Sequence, residues 1–248
     1  MDREFQGFYP RFLKLSAINI LSNLLVPLAG LIDVAFLGHL ADIRHLAGVA
    51  LATVIFNYIY WSFGFLRMAT TGLTAQAVGR NDGVDVLLVA LRNGALALAF
   101  GVALLILQWP LRELGFFLLS APPDVETTGV AFYNARIWGA PATLLNFVLI
   151  GWFLGREQGR NVLLLSAVGN GANVVLDYLF IVQWGWESWG GGLATALSQY
   201  LMVLTGLMLV LGNRPLRVWV RTWLQDLQEQ NSSWWRQMFH WPALGQIF

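Results

Sequence analysis

Six stretches of the chain stay apolar long enough to cross a bilayer, which takes about 20 helical residues for roughly 30 Å of hydrocarbon. They cover residues 15–38, 47–66 (with a weakly polar extension to 79), 93–111, 131–153, 161–184 and 193–212. Runs this uniform carry no useful period, so length separates helix from strand. Transmembrane strands would alternate over about ten residues, a pattern these runs lack. With no water in the hydrocarbon to bond the backbone, each run is predicted to be a helix. The expected fold is therefore an all-α integral membrane protein, with six transmembrane helices forming one lobe over 1–212. The remaining 213–248 has a different pattern. Trp219, Trp223 and Leu227 recur every fourth residue, flanked by Val220 and Leu224, while Arg217, Arg221, Gln225 and Asp226 lie off that stripe. This predicts a cytoplasmic amphipathic, linker-like tail lying on the inner leaflet.

Composition sharpens the picture. Of 248 residues, 57% are hydrophobic and only 12% charged, where a soluble domain carries about 25%. Mean hydropathy is +0.59. A net charge of +1 offers no basic field for nucleic acid. Without cysteine, disulfides and thiolate metal or redox sites are excluded. His39, His45 and His240 are too scattered to suggest a metal site. The loops set the topology. Eleven Lys and Arg fall on the side shared by both termini, against Arg44 and Arg112 on the other. That bias predicts both termini in the cytoplasm, in the plasma (inner) membrane. Asp2, Arg3, Glu4 and Arg11 precede a first span too long for a cleavable signal, so it is expected to remain as an anchor. Trp184, Trp186 and Trp189 between the last two spans fit an aromatic belt at the outer face.

Charge inside the bilayer points to function, because a centred Asp costs about 2.5–3.5 kcal/mol on insertion scales. Asp33 and Asp177 are the two acids deep in spans. At helical rise they lie roughly 8 Å and 10 Å below the outer ends of the first and fifth spans, a similar depth. They can belong to one site if the first and fifth spans are neighbours, and a buried carboxylate pair is suited to exchanging a proton or a sodium ion. Asn170, Asn173 and Asp177 are spaced i, i+3, i+7 and share one helix face. Gly169 and Gly171 beside them would admit a neighbouring helix. Pro27, six residues before Asp33, breaks a backbone bond and predicts a hinge. Arg136 is explained by snorkelling from a span end. Arg67 lies inside what reads as a continued helix. Gly190, Gly191 and Gly192 mark close packing at the start of the sixth span. No Walker loop, dinucleotide fingerprint, Ser-His-Asp set or zinc spacing is present, so the protein is not expected to be an enzyme, and any energy would come from an ion gradient.

Three segments together resemble a known family: PLAGLIDVAFLGHL at 27–40, GFLRMATTGLTAQAVGR at 64–80, and NGANVVLDYLF at 170–180 followed by Trp186 and GGGLAT at 190–195. They are similar to the first, second, fifth and sixth helices of multidrug and toxic compound extrusion (MATE) transporters, in the DNA-damage-inducible F subfamily. The resemblance implies a cation-coupled antiporter, driven by protons or sodium with no other cofactor, that exports amphipathic organic compounds. It places Asp33, Asn173, Asp177 and Thr195 in the ion- or proton-binding pocket of the N-terminal lobe, with Asn146 lining the same pocket. Asn146 and Asn170 are the expected substrate contacts. Ala29 stands where related members often carry a tyrosine. Family members have twelve helices in two lobes. The expectation is therefore a truncated or half-length exporter that pairs with a second lobe or a second copy, the alternative being a non-transporting membrane fragment or assembly module. Expected partners are small organic substrates and the lipid bilayer, and no nucleic acid.

Overall fold

The computed structural model describes residues 43–120 and 122–212, together with Leu13, Ser16, Ala17, Ile20 and Gly38. The expected first span with Pro27 and Asp33, and the tail over 213–248, lie outside the described residues. Among the described residues, five helical stretches are long and apolar enough to cross a membrane, and they coincide with the expected second to sixth spans.

The first stretch, Ile43–Gly79, consists of α1 (Ile43–Ser62) and α2 (Gly64–Gly79). Ser62 Oγ donates to the Tyr58 carbonyl at 3.0 Å, and Phe63 and Leu66 N–H make tight three-residue bonds at the junction. Back-bonding of this kind bends a helix. Arg67 is half-buried on α2, inside the continued helix as expected. Helix α3 (Gly83–Ile106) begins ten residues before the predicted Asn93. Its start is set by Asp82, whose side chain accepts from Asp85 N–H at 2.9 Å. Arg92 is thus a helix residue rather than a loop residue, paired with Asp85 at 3.6 Å. Pro110 does not end this helix. Leu107 interrupts it, and Pro110 falls in the first turn of α4 (Gln108–Leu119), where its missing N–H has no partner to lose.

The fourth span is α5 (Pro123–Arg136), a 3-10 turn (Ile137–Gly139) and α6 (Ala140–Gly155). Pro141 again sits in a first turn, so it sets where α6 begins. Next come α7 (Gly159–Asp177), a π-helical segment (Tyr178–Gln183) and α8 (Glu187–Gly212), which starts six residues earlier than predicted.

The span through α5 and α6 is the centre of the bundle, with 61% of its apolar window buried against 28–33% in the other four. Helix α6 packs on α2, α3, α7 and α8, while α5 lies between α1 and α8. Missing side chains make these approaches possible. A Cβ at Gly151 would lie 2.6 Å from the Arg67 carbonyl oxygen, and one at Gly155 2.6 Å from that of Thr71, so the Gly-x-x-x-Gly face of α6 lies directly on the α2 backbone. Gly192 presses α8 onto the Phe132 carbonyl and Ala135 of α5. Gly169 meets Met202, whereas a Cβ at Gly171 would have no neighbour within 4 Å among the described residues. Gly171 lies on the opposite side of α7 from buried Asn173 and Asp177.

Polar links tie the same helices. Trp152 Nε1 donates to the Val86 carbonyl at 2.9 Å, and Asn93 Nδ2 donates to Thr70 Oγ1 at 2.8 Å. At the α1 end, His45 Nδ1 lies 2.9 Å from Ser188 Oγ and its Nε2 3.3 Å from Glu187. Trp184 and Trp186 pack as tilted rings at 4.8 Å, and Trp186 and Trp189 edge-to-face at 5.3 Å, around the α7–α8 connection. Arg136 does not snorkel. Its guanidinium lies 4.6 Å from the Phe56 ring and 5.5 Å from the Phe132 ring, inside the bundle.

Gly192→Leu is expected to destabilise the protein by about 1–3 kcal/mol or more through overpacking, read as a lowered melting temperature in detergent. Gly171→Leu, with nothing within 4 Å of its Cβ position among the described residues, should melt like the wild type.

Candidate functional site

Helix α7 carries the polar face that its spacing predicted. Asp177 is 1% exposed and Asn173 7% exposed, both deep in the lobe. Asn173 Nδ2 donates to Asp177 Oδ2 at 2.8 Å, one helical turn away. Asn170 is only half-buried, and its Nδ2 donates to the Ser166 carbonyl of its own helix at 2.7 Å. The face therefore divides into a bonded acid–amide pair and a more peripheral amide. Directly after Asp177 the backbone changes to the π-type pattern. Such wide turns are uncommon and concentrate at functional sites.

The antiparallel register of α7 on α8 is fixed by Gly169 against Met202 and Ile181 against Gly191. It brings Thr195 level with Asp177. Thr195 Oγ1 donates to the Gly191 carbonyl at 2.9 Å. Its side chain also borders a small cavity of about 60 Å³, lined by Tyr60, Arg136, Gly139, Thr143 and Gln199 as well. Arg136 Nη1 reaches Thr53 Oγ1 at 3.4 Å on the edge of this cavity. Asn146, 2% exposed on α6, donates from Nδ2 to both the backbone carbonyl and Oε1 of Gln199, each at 3.0 Å. Its Oδ1 is buried with no hydrogen-bond partner among the described residues.

Two groups thus emerge. Asn173 and Asp177 bond directly. Asn146 bonds Gln199, which borders the same cavity as Thr195 one turn before it on α8. Gln199, Tyr60, Thr143 and the inward placement of Arg136 did not emerge from the sequence. The i, i+4 spacing of Thr195 and Gln199 was the available signal for the first of these. Asp33 and Pro27 lie outside the described residues. No cluster of three metal-binding side chains occurs among the described residues.

The MatE family model matches residues 19–179, well over half of the chain. The chain belongs to the MatE family. Within this family it is 36% identical to DNA damage-inducible protein F of Escherichia coli, over 77% of the chain and 42% of that protein. It is 30% identical to the probable multidrug resistance protein NorM of Acinetobacter baylyi, over 71% of the chain and 40% of that protein. The fold matches that of a MOP superfamily transporter from Pyrococcus furiosus with a TM-score of 0.71 and 26% identity, over 80% of this chain and 43% of that one. The chain spans less than half the length of these relatives. MatE proteins are integral membrane transporters, so the chain is a membrane protein of a transporter family rather than of an enzyme family.

Asn146→Leu breaks both bonds to Gln199 and should lower stability by about 1 kcal/mol, the usual scale for interhelical hydrogen bonds in membranes. Asn170→Leu, whose amide bonds only within α7, should cost clearly less in the same detergent unfolding titration.

Proposed function

We propose that this chain is the N-terminal lobe of a cation-coupled antiporter that exports amphipathic organic compounds. The observation that carries the reading is the Asp177 carboxyl, 1% exposed in a membrane-crossing helix and bonded to Asn173. A charged carboxylate in hydrocarbon is costly unless it is neutralised or its oxygens are coordinated. A proton does the first and a sodium ion the second, so occupancy by either cation changes the energy of the buried site. An export cycle needs such a change to couple an ion gradient to a conformational step.

In this reading Asp177 and Asn173 form the ion-binding core, with Thr195 beside them and Asp33 supplying the second carboxylate. Pro27 gives the first span its hinge. Asn146 and Asn170 face the organic substrate. The protein lies in the plasma (inner) membrane with both termini in the cytoplasm. The translocation path is completed by a second lobe or a second copy, since one lobe encloses no path by itself. The relatives named for multidrug resistance support the substrate class. The alternative is a non-transporting membrane fragment or assembly module.

The test is cation binding by the full chain in proteoliposomes, measured with radioactive sodium and, for protons, as pH-dependent tryptophan fluorescence. The reading predicts saturable, mutually competitive responses that Asp177→Asn abolishes and Asn173→Ala weakens. Wild-type responses from Asp177→Asn would overturn it. Dye efflux in the same vesicles, with and without a second-lobe partner, separates the exporter from the module.

A further inference from the structure

A cleft beside α4 has the features of a lipid site. It has a volume of about 210 Å³ and is lined by Gln108, Trp109, Arg112, Asn134 and Trp138. Its position follows from α3, whose 24 residues extend about 36 Å at helical rise, slightly more than the hydrocarbon thickness. The residues just past its end therefore lie at the membrane interface. Helix α4 has 12 residues, too few to cross. It turns Trp109, Leu114, Phe117 and Leu118 outward, all more than half exposed. An outward apolar face on a short helix at this level is one that rests in the bilayer. Trp138, 57% exposed, flanks the cleft from the fourth span.

Arg112 is the charged group of the cleft. Its guanidinium lies 4.7 Å from the Trp109 ring and is held by Asn134 Oδ1 at 3.1 Å and by Glu113 Oε1 at 2.6 Å and 3.1 Å. Arginine has five N–H donors. These contacts use three, leaving one on each terminal nitrogen for a further acceptor. The side chain is thus fixed before any ligand arrives, and a phosphate accepts two parallel bonds from such a fork. Glu113 sets the ligand's charge. Its side chain is 68% exposed beside Arg112, so it repels a net anion and receives an ammonium group.

We propose that this cleft binds a phospholipid headgroup of the phosphoethanolamine class, with phosphate at Arg112, ammonium at Glu113, and Trp109 and Trp138 against the glycerol region. In the orientation proposed above, the lipid belongs to the outer leaflet.

The test uses the full chain purified in detergent. Native mass spectrometry follows titration with phosphatidylethanolamine, phosphatidylglycerol and phosphatidylcholine of matched acyl chains. Phosphatidylethanolamine should give the tightest adduct, weakened about tenfold by Arg112→Gln through loss of a charge-assisted bond. Glu113→Gln, at an exposed position that does not threaten folding, should remove the preference over phosphatidylglycerol. Arg160→Gln, an exposed charge elsewhere on the lobe, should change neither. Unchanged phosphatidylethanolamine binding by Arg112→Gln would overturn the site. Displacement of the lipid by inorganic phosphate would overturn the lipid assignment, and a preference for phosphatidylglycerol in the wild type would overturn the headgroup class.

Discussion

Hydrocarbon supplies no hydrogen bonds, so polar groups in these helices must find partners in the protein itself. Asp177 with Asn173, Asn146 with Gln199, Asn93 with Thr70, and Trp152 with the Val86 carbonyl are solutions to that constraint. Three of the four cross between helices, which requires the helices to come close. Glycine permits the approach: Gly151 and Gly155 seat α6 on α2, and Gly192 seats α8 on α5. Close packing and polar satisfaction are therefore one property of the lobe. Central α6 contributes to both, through its glycines and through Asn146 and Trp152.

Within that rigid frame the neighbourhood of Asp177 differs from the rest. The acid and its amide partner lie on the same helix, one turn apart, so their bond survives a shift of α7 against its neighbours. The π-helical turns that follow loosen the backbone where α7 leaves the site. The cavity bordered by Thr195 and Gln199 is also lined by Arg136, whose guanidinium lies against the Phe56 and Phe132 rings. In the proposed export cycle, a change in the charge of Asp177 would act where α7 packs on α8.

Much of this was legible in the sequence because hydrocarbon length and the cost of buried charge are strong constraints. The second to sixth spans followed from apolar length. The shared helix face of Asn173 and Asp177 followed from their spacing, whereas the bond between them is seen only in the structure. The errors came where charge sits next to apolar sequence. Arg92 was read as a loop residue because its partner Asp85 precedes it by seven residues, two helical turns away on the same face. Arg136 was read as snorkelling because Phe56, which receives it, lies eighty residues earlier, a contact that only the assembled bundle creates. Pro110 and Pro141 each fall in the first turn of a new helix, a placement set by the neighbouring breaks at Leu107 and the 3-10 turn. The π-helical segment has no sequence signature, since its side chains are as apolar as those of any span.

The central claim is that Asp177 changes its protonation or its ion ligand while buried in the membrane. Infrared difference spectroscopy of the full chain in bilayers, stepped in pH and in sodium concentration, reads this directly as the carboxyl stretch. The account predicts a protonated-carboxyl band that disappears on adding sodium or raising pH and is missing from Asp177→Asn. A band unaffected by both steps, or one retained in that variant, would contradict it.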